Sequence, residues 1–180
     1  MSNASANRKK MFDVIGQEPL MWLEQAQELK LCADMMWQEL QSIAHVSQVL
    51  AGIRVKKLAL FNGYMLLTGF AFENVIKGLI VAQGISTATG ALSPQLKSHD
   101  LMKLATSANL NLSDTELGFL RRLQEFTIWA GRYPIALDAQ KYADGEKYLN
   151  LSANDVGLAD QLFQSLETML RNQRKPPKDW

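Results

Sequence analysis

"LALFNGYMLLTGFAFENVIKGLIVA", residues 58–82, decides the fold. Its opening run, Leu58 to Phe72, carries no formal charge across fifteen residues. A membrane span needs about 20 predominantly apolar residues, and this run also contains Asn62, Thr68 and two glycines. It therefore reads as a buried core helix, apolar on most sides and placed at the centre of a bundle. The expected limits are Val55 to Ala82. Gly63, Gly69 and Gly78 each cost about 1 kcal/mol relative to Ala in a helix, so they predict close helix packing. Into this apolar surface come Glu73 and Lys77, four apart with the acid first, the favourable helical order. A buried pair needs further hydrogen bonds to offset desolvation, which makes it a mark of specificity or of a site rather than a source of stability.

Outward from this segment the dominant period is helical. Pro19 suits a first helical position, and Trp22, Ala26, Leu29, Ala33, Met36, Trp37, Leu40 and Ile43 recur at steps of three and four. That helix is expected to run to about Leu50, before Gly52. After the central helix, "QGISTATGALSPQLKS" is a loop rich in Gly, Ser, Thr and Pro. A short helix starts at about Asp100, capped by Ser98 or His99, with Leu101, Leu104, Ala105 and Ala108 on one face. Another starts at Ser113, whose spacing to Glu116 is that of a capping box. It buries Phe119, Leu123, Phe126 and Ala130 and ends near Gly131, because Pro134 disfavours helical geometry at Tyr133. The last starts near Ser152, with Asp155 at capping distance and a stripe of Ala159, Leu162, Phe163, Leu166, Met169 and Leu170. No strand pattern competes. The expectation is an all-α, up-and-down bundle of four to five helices, two long and three shorter. One domain spans 11–172, residues 1–10 are expected to be disordered, and 173–180 form a polar tail broken by Pro176 and Pro177.

The 180 residues are 47% apolar and 21% charged, with a net charge of +1, ordinary values for a globular domain. No polyanionic partner is demanded by overall charge, although a local basic patch is not excluded by it. Cys32 is the single cysteine, which rules out an intrachain disulfide and suits a reducing, cytoplasmic setting. The start, "MSNASANRKK", has no apolar signal core.

Catalytic groups are sparse. His45 and His99 are the only histidines, and no paired-cysteine, HExxH or phosphate-loop spacing occurs. His45, His99, Asp100 and a later Asp138 or Asp144 imitate the ligand order of HD-type metal-dependent phosphohydrolases, but the His-Asp pair is more simply a helix start. Neither a metal nor a cofactor is expected. In "FLRRLQEFTIWAGRYPI", Arg122, Glu125, Trp129 and Arg132 fall on one helical face. That face reads either as a solvated surface or as guanidinium and indole groups able to hold phosphate and stack on a base.

Three segments in order, "AFENVIKGLI", "HDLMKLA" and "GRYPI", resemble the HEPN family over about Val55 to Pro134. The resemblance implies a four- or five-helix bundle, commonly a homodimer, that binds nucleotide or RNA in toxin–antitoxin, phage-defence or stress systems, often beside a cognate protein partner. Taken with that face and the Glu73–Lys77 pair, the candidate ligand-binding residues are Arg132, Tyr133, Arg122, Trp129, His99, Glu73 and Lys77. Many members cleave RNA without metal, using an arginine followed closely by a histidine. Here Arg132 takes the arginine position, but Leu137, Asp138 and Ala139 stand where the histidine belongs. An imidazole is the usual general acid–base near neutral pH, so a member without the usual ribonuclease activity is expected. The enzymatic alternative is a displaced site built from Arg132, His99 and Asp138.

Overall fold

The computed structural model describes residues 3–42, 46–50, 53–57, 60–85, 90–152 and 154–173. Within them lie seven helices: α1 (Asn3–Gln17), α2 (Pro19–Ser42), α3 (Phe61–Ala82), α4 (Leu101–Ser107), α5 (Asp114–Glu125), α6 (Ala139–Glu146) and α7 (Asp155–Gln173). The all-α bundle is as the periodicity requires, but a count of four to five helices is wrong. The two additional helices are α1 and α6. The first covers most of the polar start, where no order is expected from composition. The second forms because the Asp138 side chain accepts from the Lys141 amide, which supplies the N-cap of an eight-residue helix.

The two long helices are also shorter than their patterns suggest. Between them an antiparallel hairpin pairs β1 (Val46–Leu50) with β2 (Ile53–Lys57), in the register Val46 to Lys57 and Leu50 to Ile53. Val46, Val49, Ile53 and Val55 are β-branched, and their preference for extended backbone opposes a helix here. His45 lies outside the described residues, as does the tail from residue 174.

Helix α3 is the axis of the bundle, contacting α2, α4, α5 and α7. It is the one described helix long and apolar enough to cross a membrane, but 72% of its apolar window is covered by the rest of the chain. No second helix among the described residues is long and apolar enough to cross a membrane. Phe72, on this axis, meets Phe119 of α5 and Phe163 of α7 edge-on, each at 5.8 Å between ring centroids. Such pairs add to the area they bury.

The α3 glycines have the packing role their cost implies. A Cβ on Gly69 would strike Thr127 Cγ2 and come 3.2 Å from the Leu123 carbonyl oxygen. On Gly78 it would lie 2.9 Å from Leu170 and 3.2 Å from the Pro19 carbonyl oxygen. Both α5 and α7 can therefore approach the axis closely.

Helix caps follow local chemistry. Ser113 and Glu116 form the expected reciprocal capping box on α5. On α4 the cap is Asp100, not Ser98 or His99, with its carboxylate accepting from the Lys103 amide at 3.0 Å. The start of α7 is three residues beyond Ser152, whose amide donates to Asp155 at 2.6 Å. Met169 is partly exposed, while the remainder of the expected α7 stripe is buried.

Candidate functional site

Three polar constellations lie on this frame. The first is on α3. Glu73 and Lys77 are both buried, and Lys77 Nζ donates to Glu73 Oε1 at 2.7 Å. His99, just before α4, places Nδ1 3.0 Å from each carboxylate oxygen of Glu73. Its own side chain is 64% exposed, so the imidazole forms the outer wall of an otherwise internal ion pair. Sequence spacing finds the Glu–Lys pair, and the fold adds the histidine from 26 positions away.

The second joins α5 to α7. Arg122 binds Asp155 through its Nη2, with Asp155 almost completely buried. The guanidinium also lies over the Phe119 ring, 5.8 Å from its centroid. Arg122 is thus a link between helices, and its Nε is buried without a hydrogen-bond partner among the described residues. Charge neutralisation by Asp155 makes this guanidinium a weak centre for binding a second anion.

A turn of π-helix, Phe126–Ala130, continues α5 and closes with the Gly131 amide donating to the Phe126 carbonyl at 3.1 Å. One extra residue per turn shifts the faces, so Arg122, Glu125, Trp129 and Arg132 do not make one surface. Trp129 turns inward, and its Nε1 donates to Glu125 Oε2 at 2.8 Å. Arg132 stays exposed, donating to the Ile128 carbonyl at 2.7 Å and lying over the exposed Tyr133 ring.

The expected alternative catalytic set is therefore distributed among separate structural tasks. His99 is on Glu73, Arg132 is on its own helix end, and Asp138 caps α6. The Asp138 carboxyl is held below the usual carboxylate range, chiefly by the Lys141 backbone N–H. Gly131 packs on Leu66, whereas His99 packs on Glu73, about 10 Å further along α3 at 1.5 Å per residue. No group of three or more His, Cys, Asp or Glu residues among those described is arranged to hold a metal ion.

The third constellation is a groove that sequence spacing does not single out. A cavity of about 540 Å³ lies between α5 and α6, with Arg121, Lys141, Lys147, Tyr148, Trp129 and Leu137 on its walls. A second hollow, beside α4, shares Arg121 and Gln124 with it and adds Lys103. Gln124 fixes their junction by accepting from the Met102 amide at 3.1 Å. Arg121 and Lys147 both approach the Tyr148 ring, at 5.6 and 5.1 Å from its centroid. Neither has a carboxylate partner among the described residues. Two cations held by an aromatic ring rather than by acids remain available to an anion.

This groove exists because α6 lies close to α5. A Cβ on Gly145 would come 2.6 Å from Glu125 Oε2 and 3.3 Å from Trp129 Nε1. A side chain here would have to displace the Glu125 carboxylate and its hydrogen bond to Trp129. No local motif marks this position, since the contact spans 20 residues of chain.

Other polar groups serve the interior. Lys30, buried on α2, binds Asp34 at 2.6 Å and Asp160 of α7 at 2.5 Å. Burial pushes the pKa of the Tyr64 phenol upward, which keeps it neutral.

Fold and groove together define a helical-bundle protein with a cleft whose walls carry Arg121, Lys141 and Lys147 beside Glu125 and Asp144. Compared with protein-family models, curated proteins and solved structures, the chain matches none.

Proposed function

We propose that this protein is a binding module for a nucleotide or a short stretch of RNA, acting as a homodimer and without RNA cleavage. The observation that carries the reading is the groove between α5 and α6, where Arg121 and Lys147 both lie against Tyr148. Lys141 lies on the same wall and Lys103 lies beyond the Gln124 junction. Phosphates would meet Arg121 and Lys147, since Lys141 and Lys103 are paired with Asp138 and Asp100, and the exposed apolar surface of Leu137 and Ile128 would face the less polar part of the ligand. The volume falls in the range of small-ligand clefts, roughly 300–1,000 Å³.

This reading moves the anion site away from the residues that the HEPN resemblance implies. The resemblance places binding at Arg132 and Tyr133, whereas the groove is centred on Arg121. Association with a toxin–antitoxin or defence system, through a cognate protein partner, stands as part of the same proposal.

The test is titration of the intact protein with a panel of nucleotides and short RNA oligomers, at several salt concentrations. Binding should weaken as salt rises, with a shallower salt slope in Arg121→Ala and Lys147→Ala. Arg132→Ala should bind as the parent does. Loss of binding in Arg132→Ala alone would return the site to the position implied by the resemblance. Cleavage of the RNA would replace the binding module with a nuclease.

A further inference from the structure

We infer that α1 is an exchange arm: in a dimer it lies on the exposed stripe of α2 in a second copy of this chain. The inference deepens the dimer of the proposed function and is independent of what the groove binds.

Helix α1 leaves a large apolar surface uncovered. Met11, Phe12, Val14 and Ile15 are all exposed, Val14 at 61%. At 100° per residue these four side chains occupy one arc of about 160°. Lys9 and Lys10 border that arc on its two sides, and Arg8 falls within it. Asp13 lies on the opposite side, where its Oδ1 accepts from the Gly90 amide of the same chain at 3.0 Å. A second tie, Trp22 Nε1 donating to the Gly16 carbonyl at 3.0 Å, fixes the end of the arm. The polar side is therefore attached to its own protomer and the apolar side is open.

Helix α2 has a complementary stripe. Met21, Glu24, Glu28, Leu31 and Met35 follow steps of three and four, the spacing of a helix–helix seam. All five are exposed, with Leu31 at 62% and Met35 at 60%. The core face of α2, with Leu23, Ala26, Ala33 and Leu40, points the other way and is already buried. An intrachain partner for the seam is thus missing among the described residues.

Charge and length select the occupant. The arm offers Arg8, Lys9 and Lys10, and the stripe offers Glu24 and Glu28 between apolar ends. From Met21 to Met35 the stripe is about 21 Å long, and the 15-residue arm is about 22 Å. A twofold arrangement uses both contacts twice, as an isologous dimer requires. A lipid surface would satisfy the arm, but it would leave the acidic stripe unmatched and repelled by anionic headgroups.

The experiment measures the mass of the full chain by sedimentation equilibrium at concentrations up to about 100 µM. The parent should dimerise. Glu24→Lys with Glu28→Lys should raise the dissociation constant at least about tenfold, as should Arg8→Glu with Lys9→Glu and Lys10→Glu. Mixing the two charge-reversed proteins should restore a 1:1 heterodimer, because both contacts are then complementary. Leu31→Asp, checked for retained helicity by circular dichroism, should also be monomeric. A monomeric parent, or charge-reversed proteins that still form homodimers, would overturn the arm exchange. Binding of a monomeric parent to vesicles of anionic phospholipid would overturn it too, assigning the arm to membrane. The charge-reversed monomers should keep their affinity for nucleotide or RNA, so failure of the arm and failure of the groove are separately visible.

Discussion

His99 Nδ1 sits 3.0 Å from both oxygens of Glu73, closing from outside a carboxylate whose inner partner is the buried Lys77 ammonium. The two partners differ in what they do for the fold. Lys77 neutralises a charge that the α3 interior must otherwise bear alone, whereas His99 has one side in solvent.

Removing Glu73 should therefore cost far more than removing His99. Glu73→Ala strands a buried ammonium and is expected to lose roughly 3–5 kcal/mol. His99→Ala should lose less than about 1 kcal/mol, as exposed pairs do. Replacing both ions, Glu73→Leu with Lys77→Met, should return stability to within about 1 kcal/mol of the parent. Urea denaturation of the four proteins measures these differences. A double replacement as unstable as Glu73→Ala would show that the pair has a structural role beyond neutralising itself.

The glycines separate close packing from open space. Gly69→Ala should destabilise by about 1–3 kcal/mol, because its Cβ has to displace Thr127 and approach the Leu123 carbonyl. Gly157 in α7 has nothing within 4 Å of such a Cβ, so Gly157→Ala should stabilise by about 0.5–1 kcal/mol through helix propensity. Thermal melts of the two variants should move in opposite directions. Equal losses would mean that Gly157 has a packing partner in the assembled protein.

How much of this was legible in sequence depends on how local each cause is. The central helix, its Glu73–Lys77 pair and the Ser113–Glu116 box are visible because their partners lie three or four residues apart. The hairpin has a local signal too, in Val46, Val49, Ile53 and Val55 around Gly52, but helical periodicity on both sides conceals it. Helix α6 announces itself only through Asp138 and the Lys141 amide, a cap easily read as loop polarity. The groove has no such signature: Arg121 meets Tyr148 and Gly145 meets Glu125 only after α6 has folded back. The inward turn of Trp129 depends on a π-turn, which breaks the 3.6-residue count used to place it beside Arg122 and Arg132.

The contact between Gly145 and Glu125 gives the groove a mechanical test. Gly145→Ala should displace the Glu125 carboxylate from Trp129 Nε1, lowering stability by about 1 kcal/mol and weakening nucleotide or RNA binding. Glu125→Ala in the same chain removes the obstructing carboxylate and should recover part of both losses. Trp129 fluorescence reports the contact directly, since its Nε1 donates to that carboxylate. Recovery of stability without recovery of binding would place the ligand away from α6.

Acid should open the same groove through Asp138. Its carboxyl is held below the ordinary value in the folded chain and returns towards about 3.9 once α6 unravels. The folded-state value is the lower one, so the cap's contribution is fully present above that ordinary value. It is lost as pH falls through the lowered one. As pH falls below about 3.9, protection of the Lys141 amide from hydrogen exchange should therefore fall more than that of the bundle as a whole. Asp138→Asn keeps an oxygen able to cap the helix without a titrating proton, so its α6 should lose protection only with the rest of the fold. Groove affinity should follow the same pattern, because Lys141 and Lys147 are carried by this helix and its C-terminal end. Equal acid sensitivity in the parent and in Asp138→Asn would exclude this carboxylate as the cause.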